Sequence, residues 1–273
     1  MINLFVTDLD GTLIDSKKNI PQKNINSIKR LKQRDVKIAI CTGRTLLEVE
    51  YIPQFKDISN YVDYIIYENG ASCIDNKTKQ IIFKQELKYD DIKNIYEQLS
   101  DFEMMFEIYT DGKPHCDETM FELKRYKEFI TPDFYPLVED TRIKVDNVID
   151  FAKDKSIQMI LISFLEHEIS VKAYDKIKNI DNYITFAGIK GLEIHDNSVD
   201  KGKGIQSLAN LLNIPKSEIM SIGDSYNDLP MRDAVGTLVA MQNSTSKLKE
   251  IADHITLSND DSGVSHVIEK MLL

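Results

Sequence analysis

Short apolar runs alternate with longer segments of helical periodicity along most of the chain. The runs Leu4 to Val6, Val36 to Ile40 and Ile219 to Ile222 have the length and branched side chains of buried strands, and each ends in a polar turn. Segments such as Gln22 to Arg34 repeat their apolar residues at helical spacing. We expect further helices from Thr45 to about Phe55, from Tyr89 to Leu99 and in the charged region from Phe121 to Phe129, and a further strand from Tyr64 to Tyr67. Strands that alternate with helices in this way predict a parallel sheet with helices on both faces.

The alternation is interrupted once, between about residues 85 and 190, where helices and strands mix in another order. We therefore predict an α/β fold with a doubly wound, mostly parallel sheet and an inserted α+β domain. Residues 1–84 and 191–273 are expected to form the core domain with the parallel sheet. Residues 85–190 are expected to form the inserted domain.

The turn after the first predicted strand carries two carboxylates two residues apart, Asp8 and Asp10, followed by Gly11. Ligands of open α/β sheets bind at the carboxyl ends of the strands, because loops and helix N-termini converge there. An isolated turn of this kind could equally be a polar loop that only closes a strand. The decision between the two readings rests on the other turns of the chain.

Three further turns carry groups that suit a phosphate or a metal ion. Thr42, Gly43 and Arg44 follow the second strand and offer a hydroxyl, an accessible amide and a guanidinium, although a simple helix cap is the alternative. Lys201 opens a predicted helix, where a cation is unusual unless an anion lies in front of it.

The fourth turn follows the strand that ends at Ile222 and contains Asp224, Asn227 and Asp228. Magnesium prefers carboxylates, carbonyls, waters and phosphate oxygens. Asp8, Asp224 and the backbone carbonyl of Asp10 would suffice as protein ligands, with Asp228 binding directly or through water. The four turns together predict Mg²⁺-dependent phosphoryl transfer on a small-molecule phosphate ester.

The same residues resemble the motifs of the haloacid dehalogenase (HAD) superfamily, and within it the Cof-like type IIB sugar phosphatases. The motif DxDGT falls on Asp8, Asp10 and Thr12, and the motif GDxxND falls on Asp224, Asn227 and Asp228. Thr42 and Lys201 match the second and third motifs, and the insertion between them matches a type C2 cap, which sets substrate specificity. Gln242 departs from the pattern, since it stands where the family commonly has glycine.

The resemblance implies a role for each matched residue. Asp8 is expected to be the nucleophile that forms an aspartyl-phosphate, and Asp10 the general acid and base. The residues expected to hold the phosphoryl oxygens are Thr42, Gly43, Lys201 and Asn227. The residues expected to hold Mg²⁺ are Asp8, Asp10, Asp224 and Asp228.

Composition and charge limit the partners and the cellular location that we expect for the protein. The chain has 273 residues, a formal net charge of −10 and no run of apolar residues long enough for a membrane span, which argues against nucleic-acid and membrane partners. Cys41, Cys73 and Cys116 lack the spacing of a metal site or a disulfide framework, so we expect a reducing, cytoplasmic location. The sequence leaves the oligomeric state and the substrate's identity open.

Two alternatives share part of this pattern. A phosphomutase of the phosphomannomutase type would pass the phosphoryl group to a sugar hydroxyl instead of water. A receiver-like signalling module would accept a phosphoryl group from another protein and keep it. A receiver, however, is one small domain without the inserted segment or a partner at the position of Asp10.

Overall fold

The computed structural model describes residues 1–273, which form fourteen strands and thirteen α-helices. The strands, in chain order, are β1 (Leu4–Thr7), β2 (Lys37–Cys41), β3 (Tyr64–Tyr67), β4 (Ser72–Asp75), β5 (Ile81–Lys84), β6 (Met104–Thr110), β7 (Lys113–Asp117), β8 (Ile143–Val145), β9 (Met159–Phe164), β10 (Asn182–Ala187), β11 (Gly191–Asp196), β12 (Ile219–Gly223), β13 (Thr237–Ala240) and β14 (His254–Ile255).

Most helices are short, and the longest have eleven or twelve residues. They are α1 (Gln22–Lys32), α2 (Leu46–Glu50), α3 (Phe55–Ile58), α4 (Tyr89–Leu99), α5 (Thr119–Glu122), α6 (Tyr126–Phe129), α7 (Tyr135–Thr141), α8 (Val148–Ala152), α9 (His167–Ile177), α10 (Lys201–Leu212), α11 (Met231–Ala234), α12 (Ser246–Ile251) and α13 (Gly263–Val267). None of them is long and apolar enough to cross a membrane.

The chain divides into two compact units. The first contains residues Met1–Arg44, Ile52–Lys84 and Asp200–Leu273, and the second contains Thr45–Tyr51 and Gln85–Val199. The division at Lys84 agrees with the predicted boundary. The other end of the insertion lies at Val199, beyond the predicted residue 190, and the segment Thr45–Tyr51 joins the second unit although the prediction placed it in the core.

The first unit is built on an eight-stranded sheet in the order β14-β13-β12-β1-β2-β3-β4-β5. The six strands from β14 to β3 are parallel, and β4 and β5 run antiparallel at one edge. All four residues of the central strand β1 are buried, as expected for a parallel strand with both faces covered. The predicted doubly wound α/β fold is confirmed.

The second unit has a six-stranded sheet in the order β10-β11-β9-β6-β7-β8, with antiparallel pairs except between β7 and β8. One face carries Phe106, Ile108 and Ile162, which pack with Ile92 and Ile95 of α4 in an apolar core. Strand β11 pairs with both β9 and β10, so the residues after 190 complete this sheet.

Several predicted elements differ from the observed ones. The helix expected from Thr45 to about Phe55 is two helices, because Pro53 lies between them and cannot continue a helical hydrogen-bond ladder. The charged helix expected from Phe121 to Phe129 is likewise two short helices, α5 and α6. Strand β8 and helices α7 and α8 lie where no element was predicted.

Candidate active site

Asp8 and Asp10 follow the carboxyl end of β1, the strand paired with both β2 and β12. The amide of Asp8 donates to the carbonyl of Ile222 at 3.0 Å, which continues the parallel ladder one residue past the strand. Gly11 then turns the chain with a φ of +76°, and a Cβ there would collide with the carboxylate of Asp224. The first turn therefore needs glycine, and it brings Asp8 and Asp10 to the sheet edge that the sequence predicted.

Lys201 lies between two of the predicted carboxylates. Its ammonium nitrogen donates to Oδ1 of Asp8 and to Oδ1 of Asp228, each at 2.7 Å, and the lysine is 1% exposed. Burial lowers the pKa of Lys201, but the two carboxylates more than offset this and hold its pKa well above the usual value. Lys201 is therefore a permanent buried cation.

The start of α10 fixes the position of this lysine. Asp200 caps the helix, because its carboxylate accepts from the amide of Lys203 at 2.7 Å. Gly202 allows close packing, since a Cβ there would collide with the carbonyl oxygen of Pro230. The unusual pairing of lysine and glycine at this helix start is thus explained by the close approach of the chain.

Asp224 and Asp228 have different surroundings within the same loop. Asp224 accepts a hydrogen bond from the hydroxyl of Thr12 at 2.9 Å. Asp228 accepts from the backbone amides of Asp224 and Ser225 through Oδ2, at 2.8 and 2.9 Å, and from Lys201 through Oδ1. Both oxygens of Asp228 are therefore committed to protein donors, which suits a residue that shapes the loop.

Oxygens of Asp8, Asp224 and Asp228 all lie within 4.8 Å of one another. Burial is the largest cause that raises the pKa of Asp8; Lys201 opposes it, while Asp228 and Asp224 add to it. Burial and the charge of Asp228 raise the pKa of Asp224 to about 7. The cluster has more negative charge than Lys201 can balance, which is the electrostatic condition for a cation site.

Arg44 binds the carboxylate of Asp10 with two hydrogen bonds, from Nε to Oδ2 at 2.7 Å and from Nη2 to Oδ1 at 2.9 Å. Lys18 lies 3.4 Å from the same carboxylate. Burial alone would raise the pKa of Asp10. Arg44 and, to a smaller extent, Lys18 more than offset this effect and lower the pKa to about 2. The sequence placed the guanidinium of Arg44 in a turn expected to bind a phosphate or a metal ion. It gave no sign that the partner of Arg44 is Asp10.

Thr42 and Asn227 meet through Asn69. The carbonyl of Thr42 accepts from the amide of Asn69 at 2.9 Å, and the side chain of Asn227 donates to Oδ1 of Asn69 at 3.0 Å. Asn69 adopts a positive φ of 52° in the turn that follows β3. The side-chain oxygen of Asn227 is buried without a hydrogen-bond partner.

The hydroxyl of Thr42 accepts from the amide of Arg44 at 3.1 Å, so it organises the turn that contains Gly43. Thr45, rather than Thr42, caps the following helix. All eight predicted site residues thus belong to the first unit, at turns that follow β1, β2 and β12 or at the start of α10. Thr12 was noticed only through the resemblance, which gave no contact for it.

Residues 5–268 match the family model for haloacid dehalogenase-like hydrolase. The chain belongs to this family. The predicted membership and the predicted enzyme class, a hydrolase of the HAD type, are both confirmed. The match covers both units, so the inserted segment is part of the family's architecture as well.

Two curated relatives from Bacillus subtilis illustrate the similarity. The putative phosphatase YxeH is 26% identical over 100% of this chain and 99% of its own length. The 5-amino-6-(5-phospho-D-ribitylamino)uracil phosphatase YwtE is 27% identical over 97% of this chain and 96% of its own length. Both relatives are named as phosphatases, in agreement with the enzyme class.

The solved structure of the HAD subclass IIB sugar phosphatase BT4131 superposes with a TM-score of 0.82. It covers 98% of both chains at 21% sequence identity. At this identity the likeness establishes the fold, including the inserted α+β unit.

Proposed function

We propose that this protein is a Mg²⁺-dependent phosphatase that hydrolyses small phosphorylated metabolites, sugar phosphates in particular, through an aspartyl-phosphate. One observation carries the proposal. Asp8 is buried against the fixed cation Lys201, while Asp10, two residues away, is held by Arg44. One turn thus carries two carboxylates in different surroundings. Asp8 is the proposed nucleophile, and Asp10 is the proposed acid and base.

In the first step a carboxylate oxygen of Asp8 forms a bond to phosphorus as the bond from phosphorus to the ester oxygen breaks. Asp10 gives a proton to the departing oxygen, which leaves as an alcohol. For this step the bound substrate must displace Arg44 and Lys18 from Asp10, because beside these two cations its pKa of about 2 keeps it ionised. In the second step water attacks the phosphorus of the aspartyl-phosphate and Asp10 takes up its proton. Inorganic phosphate leaves, and both carboxylates return to their starting state.

Lys201, the Gly43 amide, Thr42 and Asn227 are the proposed phosphate-binding groups. Lys201 brings a fixed positive charge to Asp8, so it offsets the negative charge that accumulates when two anions approach. The side-chain amide of Asn227 has two N–H groups and gives one to Asn69, so the other can donate to a phosphoryl oxygen. Asn69 orients Asn227 relative to Thr42.

The residues present fit a divalent metal ion. The cluster of Asp8, Asp224 and Asp228 is buried, rich in carboxylate oxygen and incompletely neutralised. Asp8 and Asp224, with the carbonyl of Asp10, would hold Mg²⁺, and Asp228 would support them through the loop amides that it fixes. When bound, the metal would supply Lewis-acid stabilisation of charge on the phosphoryl oxygens.

Substrate choice is proposed to lie in the second unit. The relative YwtE is named for a substrate that carries a phosphate on a ribityl chain, which supports a small polyol or sugar phosphate here. We also propose that the protein is cytoplasmic and that its substrate is not a nucleic acid. The low pI of about 5.1 supports the latter, since an acidic surface repels polyphosphate backbones.

The test is release of inorganic phosphate from a panel of phosphorylated sugars, nucleotides and vitamin precursors, with and without Mg²⁺. We expect Mg²⁺-dependent release that D8N abolishes and D10N slows by about a hundredfold or more, with both variants folded. D57N, at an exposed aspartate of the same unit, is the matched control and should keep wild-type activity. Wild-type rates in D8N would contradict the nucleophile assignment.

A different outcome of the same assay would favour the phosphomutase alternative. In that case phosphate release would be small, and turnover would depend on an added sugar bisphosphate. A stable phosphorylated protein without turnover would instead favour a signalling role.

A further inference from the structure

The turn that follows β3 has an unusual backbone. Its residues Glu68, Asn69 and Gly70 have φ values of 53°, 52° and 102°, so all three lie in the left-handed region. Glu68 is 0% exposed and Asn69 is 1% exposed. Non-glycine residues seldom adopt this conformation, and it persists where the surrounding structure holds it, often at functional sites.

Backbone hydrogen bonds join this turn to the turn that follows β2. The amide of Glu68 donates to the carbonyl of Arg44 at 3.1 Å, and the amide of Asn69 donates to the carbonyl of Thr42 at 2.9 Å. The two acceptors lie on either side of Gly43, whose amide is a proposed phosphate-binding group. The position of that amide therefore depends on the buried turn.

The same turn reaches the other proposed phosphate-binding residues. Gly70 lies against Asp200, the residue before Lys201, so closely that a Cβ on Gly70 would be 2.3 Å from the carbonyl oxygen of Asp200. The side-chain nitrogen of Asn227 donates to Oδ1 of Asn69 at 3.0 Å. One buried turn thus contacts all three segments that carry the proposed phosphate-binding groups.

The contact between Asn69 and Asn227 selects one of two orientations of the Asn227 amide. In the observed orientation its nitrogen faces Oδ1 of Asn69, and its oxygen is buried without a hydrogen-bond partner. An amide with nitrogen and oxygen exchanged would bring its oxygen against Oδ1 of Asn69, where two acceptors repel each other. Asn69 therefore favours the orientation in which the second N–H of Asn227 is available to another acceptor.

We propose that Asn69 is a positioning residue for the phosphate group and that it acts through Asn227. By accepting from one N–H of Asn227, it directs the other N–H toward a phosphoryl oxygen. The contacts of the turn with residues 42–44 and 200 fix the backbone from which Asn69 acts. The inference rests on the proposed function, in which Asn227 binds phosphoryl oxygens.

Two glycine substitutions at the same backbone conformation separate this role from general stability. N69G keeps the left-handed turn, which glycine adopts readily, and removes the acceptor for Asn227. N213G makes the same change at an exposed asparagine of the first unit, which has a φ of 55° at the end of α10. Both variants lose the side chain of a left-handed asparagine, but only N69G loses the contact with Asn227.

The first readout is the constant for inhibition by inorganic phosphate, with Mg²⁺ present. We expect N69G to raise it about tenfold, because the binding-competent orientation of Asn227 becomes a minority state, and N213G to leave it unchanged. N227A should raise the constant as well, and N69G added to N227A should have no further effect. An unchanged constant in N69G, or the same rise when N227A is already present, would overturn the proposal.

The side-chain amide protons of Asn227 give an answer that does not depend on activity. Their NMR signals are assigned by their absence from the spectrum of N227A. Exchange of these protons with solvent should quicken about tenfold in N69G once their acceptor is lost, and unchanged exchange would also overturn the proposal.

N69D provides the conservative variant, because its carboxylate still accepts from Asn227. It should keep the slow exchange of wild type, and it replaces N69G if that variant does not fold; rapid exchange in N69D would contradict the role of the acceptor. A wild-type protein inactive on every phosphate ester would contradict the proposed function, while the NMR result would still decide whether Asn69 orients Asn227.

Discussion

At the scale of single residues, the site depends on unequal surroundings of chemically identical carboxylates. Asp10 faces two cations and has a pKa of about 2, whereas Asp224 shares a buried cluster and has a pKa of about 7. Asp228 is fully buried, and both of its oxygens accept hydrogen bonds. Residue type alone therefore did not decide the roles: neighbours up to about two hundred residues away in sequence shift the pKa values of Asp8, Asp10 and Asp224 in different directions.

Replacing Lys201 by methionine tests how much of the site depends on its charge. K201M leaves Asp8 and Asp228 buried without their shared cation, which should lower the free energy of unfolding by about 3–5 kcal/mol and abolish turnover. Denaturant unfolding of the metal-free protein at neutral pH measures the first effect. K203M removes an exposed lysine of the same helix and should change stability by less than about 0.5 kcal/mol; equal losses in both variants would refute the assignment.

The sequence allowed the turns to be predicted but not the side-chain pairs across them. Asp8, Thr42, Lys201 and Asp224 follow apolar runs or open a helix, a pattern visible along the chain. The pairing of Arg44 with Asp10 depends on side-chain directions that no periodicity encodes. The same holds for the bridge that Asn69 makes to Asn227.

At the scale of elements, prediction succeeded where one strong pattern governs a segment. Strand β3 and helix α4 have the predicted bounds Tyr64–Tyr67 and Tyr89–Leu99, since their apolar residues repeat cleanly. Residues 130–156 instead form elements of three to seven residues, too short to show a period. Gln242 has a negative φ, so the glycine that it replaces was not required by backbone conformation in this chain.

Strand β11 carries a buried histidine that should make stability depend on pH. Burial lowers the pKa of His195 from 6.5 to about 3, with a weaker opposing effect of a hydrogen bond to the backbone of Gln158. Between these values the unfolded chain binds a proton that the folded chain does not, so stability falls as pH drops through this window. The loss between pH 6.5 and about pH 5 should be about 2 kcal/mol.

Thermal or denaturant unfolding of wild type and H195N across this range measures that loss. H195N lacks the titrating ring, so its stability should fall less on acidification by the stated amount, whatever its stability at neutral pH. H254N, at an exposed histidine, is the control and should follow wild type. Parallel curves for wild type and H195N would show that His195 is protonated in the folded state.

At the scale of the whole molecule, the second unit is built from two segments of the chain, Thr45–Tyr51 and Gln85–Val199, whereas the sequence predicted one. The predicted boundary at residue 190 lies directly before β11, which pairs with β9 and β10 of the second unit. The pattern misled because β11 is followed by the helix of Lys201, like a core strand in a repeated strand–helix alternation. Strand partners are long-range choices that a local pattern does not reveal.

Two deletions compare the predicted boundary with the observed one. The first replaces residues 85–199 by a flexible linker, and the second replaces only residues 85–190. The second keeps Leu192 and Ile194, both fully buried in the intact protein, on a strand whose two partners have been removed. An unpaired apolar strand is a template for aggregation, so this protein should bind more of a hydrophobic dye and sediment as larger species.

The first deletion should remain monodisperse, because its eight-stranded sheet retains every strand. Both deletions also remove Glu107, Arg142 and Gly112, so residues 45–51 should exchange their amides rapidly in each. Size-exclusion chromatography and hydrogen exchange measure the two effects separately. Equal solubility of the two deletions would mean that β11 gains little from its pairing. Protected amides at residues 45–51 would mean that the contacts of α2 with Arg142 and Gly112 are not what holds this helix.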